Sequence, residues 1–336
     1  MSAPEISVLL PVRDAAATLG AALESIRRQS FRDFECIVAD DGSLDASRDV
    51  AASVAARDPR FKLLALPRRG IVETLNDGLT VCRGRFIARM DGDDVSARLR
   101  LEAERATLVA DPSLAATGCH VRTFPRGAMA EGRLRYERWL NSLASADDVR
   151  RDRFVECPVA HPTLVARSEV LRRYGYRDAG WAEDYDLVLR LLGDGERVGV
   201  TPRRLLLWRD GPKRHSREHP RYAANTFFEC KAEFLAASFL AHASTYVLWG
   251  YGDTGRTLAR ALGARAKRPS HIVEIHPRRI GARIFGADVI PPPALLELPS
   301  PRPPVVVSVA GADARAIIRA FFAAHDFDDS TYVFAA

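Results

Sequence analysis

Three carboxylates fall within four residues at Asp91-Gly92-Asp93-Asp94. Like charges packed so closely repel and raise each other's pKa, and a cation removes that penalty. Carboxylate oxygens are the donors that Mg2+ and Mn2+ prefer, and Mg2+ is commonly held by one or two carboxylates together with substrate phosphates. The pair Asp40-Asp41, followed by Gly42-Ser43, is a second acidic group. It is also a good turn and helix cap, so the residues alone leave both readings open. A third group, Trp181-Ala182-Glu183-Asp184-Tyr185-Asp186, opens a helix with Leu187, Leu189, Leu191 and Leu192 behind it. Acids at a helix start complement its dipole. The functional alternative is a general base that takes a proton from an attacking hydroxyl.

The elements around these groups give them a common address. Ile6 to Val12, Phe34 to Ala39, Phe61 to Leu66 and Phe86 to Met90 are apolar, β-rich runs. Between them, 15–28 and 71–82 carry helical spacing, and Ser43 or Asp45 caps a further helix. Strands alternating with helices imply a mostly parallel sheet with helices on both faces. In such sheets ligands bind outside the carboxyl ends of the strands. Both aspartate clusters follow a strand, so the expectation is that they face one site.

The chain has 336 residues, enough for two domains, and 47% of them are hydrophobic. Its formal net charge is +6, but only four of its 49 basic residues are lysines, a skew that reads as genomic composition. No basic tract interleaved with aromatics is present, which argues against nucleic-acid binding. The five cysteines form no CxxC pair and read as reduced thiols. The N-terminus has no signal-peptide pattern, and the apolar stretch from Phe234 to Trp249 is shorter than the ~20 residues of a membrane span. It reads as the end of a helix followed by a buried strand. A cytoplasmic protein is expected.

The motifs resemble family 2 glycosyltransferases of the GT-A fold. Ile6-Ser7-Val8-Leu9-Leu10-Pro11-Val12-Arg13-Asp14, the stretch from Gln29 to Ser43, Gly70 to Leu79, Gly84 to Asp94, His161-Pro162-Thr163 and Glu183-Asp184 are similar to that family and stand in its order. The resemblance covers residues 5 to about 217. It implies a nucleotide-diphosphate sugar as donor, and a glycan, lipid-linked or other hydroxyl as acceptor. Pro11 and Val12 would line the base pocket, and Asp40 or Asp41 would bond the base or ribose. Asp91 would contact ribose or a metal-bound water, Asp93 would bind Mn2+ or Mg2+, and Asp94 would assist either. Asp184 would be the base, with Glu183 beside it. Where many relatives carry an Arg-Asn pair this chain has Leu75-Asn76, and Arg68 or Arg69 would substitute for the donor-binding arginine. Further on, Arg214 would neutralise phosphate and His215 would touch the diphosphate or metal, while His161 would brace the acceptor-side loop. The implied reaction is one displacement at the anomeric carbon, with inversion, in the assembly of surface glycans at the cytoplasmic membrane face.

The C-terminal part carries a different pattern. A strand ending at Trp249 leads into Gly250-Tyr251-Gly252-Asp253-Thr254-Gly255, a helix, and a strand ending near Glu274. This is the dinucleotide-binding fingerprint in its proper context. The segment is about half the size of a full two-halved fold, so a structural or regulatory appendage is preferred to a redox site using NAD. The expected division is a GT-A domain over 1–217, a helical linker over 218–244 and a small Rossmann-like domain over 245–336. Two other classes stay open: a non-catalytic nucleotide-sugar sensor, and a nucleotide-dependent enzyme of another reaction type, such as a sugar nucleotidyltransferase or an oxidoreductase. The oligomeric state is not legible.

Overall fold

The structure is a computed structural model, and the residues described are 3–211 and 219–336. Within them the chain forms two compact units. The first takes in residues 3–150, 158–179 and 183–211; the second takes in 151–157, 180–182 and 219–336.

The first unit opens with β1 (Ile6–Val12), α1 (Ala16–Arg27), β2 (Phe34–Asp41), α2 (Ser47–Arg57), β3 (Phe61–Leu66), α3 (Ile71–Val81) and β4 (Phe86–Arg89). All four strands run parallel, in the order β3-β2-β1-β4. Every residue of β1, β2 and β4 is buried, as strands covered on both faces must be. Pro11 has no N–H to give a ladder. It is tolerated because pairing with β4 ends at Leu9, whose carbonyl accepts from Met90 N at 3.1 Å.

The rest of the unit is β5 (Val95–Ser96), α4 (Arg100–Ala110), β6 (Leu114–Phe124), α5 (Glu131–Leu140), α6 (Ala146–Arg151), β7 (Val165–Arg167), α7 (Ser168–Tyr174), α8 (Glu183–Gly193) and β8 (Arg197–Arg209). The sheet continues β4-β7-β6-β8-β5, with β7 antiparallel to both neighbours and β6 parallel to β8. Alternation of strands and helices thus describes the first half of the unit, and a mixed sheet extends it. The turn after β2 also departs from expectation: Asp45 and Ser47 cap α1, accepting from Ala16 N at 2.9 Å and Ala15 N at 2.8 Å. Neither Ser43 nor Asp45 is the N-cap of α2, which is Ala46.

The second unit contains α9 (Ala224–Ala237), β9 (Thr245–Trp249), α10 (Asp253–Gly263), β10 (Arg268–Val273), β11 (Arg283–Ile284), β12 (Ala287–Ile290), β13 (Val305–Val307), α11 (Ala312–Ala324) and β14 (Tyr332–Phe334). Its sheet order is β11-β12-β10-β9-β13-β14, parallel except for β11. Lys231 is buried in this unit, where Nζ donates to the carbonyls of Val155 at 2.8 Å and Ala335 at 3.1 Å. All five cysteines are buried and unpaired in disulfides. Among the described residues no helix is long and apolar enough to cross a membrane.

Candidate active site

Parallel pairing puts the last residues of β1, β2 and β4 at one edge of the sheet. The register pairs Val12 with Asp40 and Leu9 with Arg89, so both aspartate clusters open onto that edge. Within the second cluster, Asp91, Asp93 and Asp94 each offer a carboxylate oxygen, and these lie within 4.8 Å of one another. Three hard oxygen donors this close suit Mg2+ or Mn2+.

The cluster is held from a direction the sequence did not advertise. Arg209, the last residue of β8, donates its backbone N–H to Asp94 Oδ1 at 2.7 Å and Nε to the Asp93 carbonyl at 2.6 Å. Thr18 Oγ1 bonds the Gly92 carbonyl at 3.0 Å. Below the cluster, the fully buried Arg100 donates Nη2 to the Arg89 carbonyl at 2.8 Å and Nε to Glu104 at 2.8 Å.

Asp40 and Asp41 divide their work. Asp40 is wholly buried, and its Oδ2 accepts from Nε and Nη2 of Arg48 at 3.0 and 2.7 Å. Asp41 Oδ1 accepts the backbone N–H groups of Arg69 at 2.8 Å and Gly70 at 3.0 Å, and its Oδ2 accepts from Arg13 at 3.2 Å. It therefore fastens the entry of α3, where Gly70 stands at φ +97°. The Arg69 guanidinium pairs with Asp77, and that of Arg68 with Asp14. Arg214 and His215 lie outside the described residues.

Glu183 and Asp184 begin α8, as expected of the third acidic group. Asp184 accepts from Tyr185 N at 2.8 Å. Desolvation, then the neighbouring Glu183 charge, raise its pKa to about 7, with Arg89 pulling the other way. Glu183 is buried 3.8 Å from His161 Nδ1. Burial, then the Arg89 charge, hold the His161 pKa well below the usual histidine value, so this contact is not an ion pair. His161 Nε2 instead meets the Tyr176 hydroxyl at 3.0 Å. Asn76 clamps the Tyr176 backbone on both sides, Nδ2 to its carbonyl and Oδ1 from its N–H, each at 2.9 Å. The residue left standing where an Arg-Asn pair was looked for thus braces the loop leading to α8.

Arg89, Tyr176 and Arg209 were missed in the sequence, and Asn76 was named there only as the remnant of a pair. Arg89 had a signal: a charge inside the apolar run Phe86-Ile87-Ala88-Arg89-Met90. The other three act through backbone pairing and tertiary contacts that spacing does not encode.

In the second unit, Gly250 has φ +96°, and a Cβ on Gly255 would lie 2.2 Å from the Gly250 carbonyl, while one on Gly252 would meet open space. Glu274 follows β10, but it is engaged. Oε1 accepts from the backbone N–H groups of the two residues that follow it, Ile275 at 2.9 Å and His276 at 3.3 Å, and Oε2 accepts from Arg279 at 2.9 Å. Burial opposes ionisation, yet these bonds outweigh it and keep the Glu274 pKa below the usual value.

Residues 7–175 match the family described as Glycosyl transferase family 2. Over 202 residues the chain is 31% identical to EpsE of Bacillus subtilis (strain 168), which is named for glycosyl transfer, covering 58% of this chain and 69% of that one. It is 31% identical over 193 residues to the O-antigen biosynthesis glycosyltransferase WbnJ of Escherichia coli, covering 56% and 72% of the two chains. Among solved structures, TarS 1-349 of S. aureus in complex with UDP-GlcNAc superposes with a TM-score of 0.57 at 16% identity, over 77% of this chain and 71% of that one, a likeness of fold. With the α/β sheet and its acidic edge, these matches place the chain in glycosyl transferase family 2, as a glycosyltransferase of the GT-A fold.

Proposed function

We propose that the first unit transfers a sugar from a nucleotide-diphosphate donor to an acceptor hydroxyl by one displacement that inverts the anomeric carbon. The observation that carries this reading is the three-aspartate cluster at the carboxyl edge, its Asp91 bonded to Arg89, together with the buried acids that open α8. Pro11, Val12, Asp40 and Asp41, with Arg69, form the nucleoside side. Asp93 and Asp91, with Asp94, would hold Mn2+ or Mg2+, which when bound supplies Lewis-acid stabilisation of the leaving diphosphate. Asp184 accepts the acceptor proton as the hydroxyl attacks. A pKa near neutrality suits a general base, because a useful fraction is ionised while proton affinity stays high. Glu183 keeps Asp184 basic by its charge. Arg214 and His215 stay proposed as phosphate and metal contacts.

A bound UDP-GlcNAc in TarS supports a nucleotide-sugar donor here through fold alone. The O-antigen biosynthesis role in the name of WbnJ supports a part in surface-glycan assembly, with a glycan or lipid-linked acceptor. For the Rossmann-like residues 245–336, which share the second unit with α9, we propose a structural or regulatory role, a reading supported by the Arg279 side chain on the Glu274 carboxylate. The test is donor turnover with and without Mn2+: strict dependence on the cation and the acceptor supports the reading, and binding of donor without any turnover favours a sensor.

A further inference from the structure

Arg89 is a buried arginine, 4% exposed, at the end of a central strand. Its backbone is pinned on both sides, the N–H donating to the Leu164 carbonyl at 2.8 Å and the carbonyl accepting from Arg100 at 2.8 Å. Its side chain therefore starts from a fixed point. Nη1 bonds Asp91 Oδ1 in the metal-binding motif, while Nε is buried without a hydrogen-bond partner among the described residues. Leaving a buried donor unmade costs about 1–3 kcal/mol, so stability does not account for an arginine here.

The groups facing its charge lie on three further elements. The Leu164 carbonyl that holds Arg89 ends the turn carrying His161, whose Nδ1 lies 3.8 Å from Glu183 at the start of α8 and whose Nε2 meets the Tyr176 hydroxyl at 3.0 Å, and the Arg89 charge acts on His161, Tyr176, Glu183 and Asp184. Asp186, also on α8, is engaged by Arg177 and Arg190. Arg89 is thus the cation common to the acids of β4's end and the acids of α8.

We propose that Arg89 is a positioning residue that joins the two halves of the site, orienting Asp91 with one arm while its charge stabilises the ionised acids at the start of α8. This rests on the reading of the α8 acids as the proton-accepting side. Without Arg89, those carboxyls lose the positive neighbour that opposes desolvation and mutual repulsion. An opposite unit charge within about 4–6 Å moves a carboxyl by about one pH unit or more.

The test is the pH dependence of kcat/KM, with thermal melting, for the wild type, Arg89→Lys, Arg89→Met and Asp184→Asn. The expected result for Arg89→Met is an acidic limb moved to higher pH by about one unit, with about a fivefold loss at pH 7 from that shift that is recovered by pH 9. Arg89→Lys keeps the charge and holds the limb in place. If Arg89→Met does not fold, Arg89→Gln, which can still bond Asp91, is expected to show the same shift. A loss that is equal at every pH in folded neutral variants overturns the proposal and leaves Arg89 a packing residue. A limb that persists in Asp184→Asn yet still moves when Arg89 is neutralised refutes Asp184 as the base and upholds Arg89, acting then on Glu183.

Discussion

At the carboxyl edges of the two sheets, Asp40 of the first and Glu274 of the second are alike held by arginines, but the first edge also crowds three further acids together. At the edge of the first unit, Asp91, Asp93 and Asp94 crowd within 4.8 Å, and Asp184 is raised to about 7. At the edge of the second unit, Glu274 is lowered by two backbone N–H groups and Arg279. An acid kept in a state unfavourable to its charge gains from a cation or a proton, whereas an acid already satisfied has little to gain from a ligand. The second unit has the strand, glycine turn and helix that resemble a dinucleotide-binding turn. What separates the two edges is the electrostatic state of their side chains.

The comparison can be broken most forcefully at Asp93. Asp93→Ala should reduce transfer by at least about 10³-fold, since Lewis-acid stabilisation amounts to several kcal/mol, while the melting temperature holds or rises through relief of repulsion. Steady-state transfer and a melting curve check this. Asp184→Asn should lower kcat by about 10²–10⁴-fold with donor affinity nearly unchanged, as read by kinetics and calorimetric titration of the donor. Its stability has a defined sign. A carboxyl whose pKa is higher folded than unfolded stabilises the fold at low pH, and that contribution is lost as pH rises through about 7. The Asn variant should therefore melt above the wild type at pH 8, and by less or not at all at pH 4.

Two smaller effects sharpen the second edge. Gly255→Ala forces a Cβ to within 2.2 Å of the Gly250 carbonyl and should cost about 1–3 kcal/mol in denaturant titration. Gly252→Ala meets open space and should stay within about 0.5 kcal/mol. Titration with NAD should give no binding tighter than about 100 μM, roughly −5.5 kcal/mol. Tighter binding would mean that Arg279 yields the Glu274 carboxylate to a ribose.

The apolar runs of β1 to β4 were legible because strands buried on both faces carry uninterrupted hydrophobic sequence. The acids at their ends were legible for the same reason, since each run stops at its charge. By contrast β6 and β8, with Gly118, Pro202 and four arginines between Arg197 and Arg209, lack that signature and form through long-range pairing. With them went the hold of Arg209 on the three-aspartate cluster. Asn76 was read against a family pattern as half of a missing pair; its work is a backbone clamp a hundred residues away. Spacing finds groups that share an element, and the site also depends on groups that share only a place.

In the proposed reaction a carboxyl at the start of α8 takes the proton during a metal-dependent transfer. The most direct measurement is kcat/KM from pH 5 to 9 at saturating Mn2+ for the wild type and Asp184→Asn. The wild type should show activity rising with pH through a midpoint near 7, the value to which desolvation and Glu183 raise Asp184, and the variant should lose both the rate and that limb. A variant that keeps the limb with a rate within a few-fold of wild type would contradict the claim for Asp184.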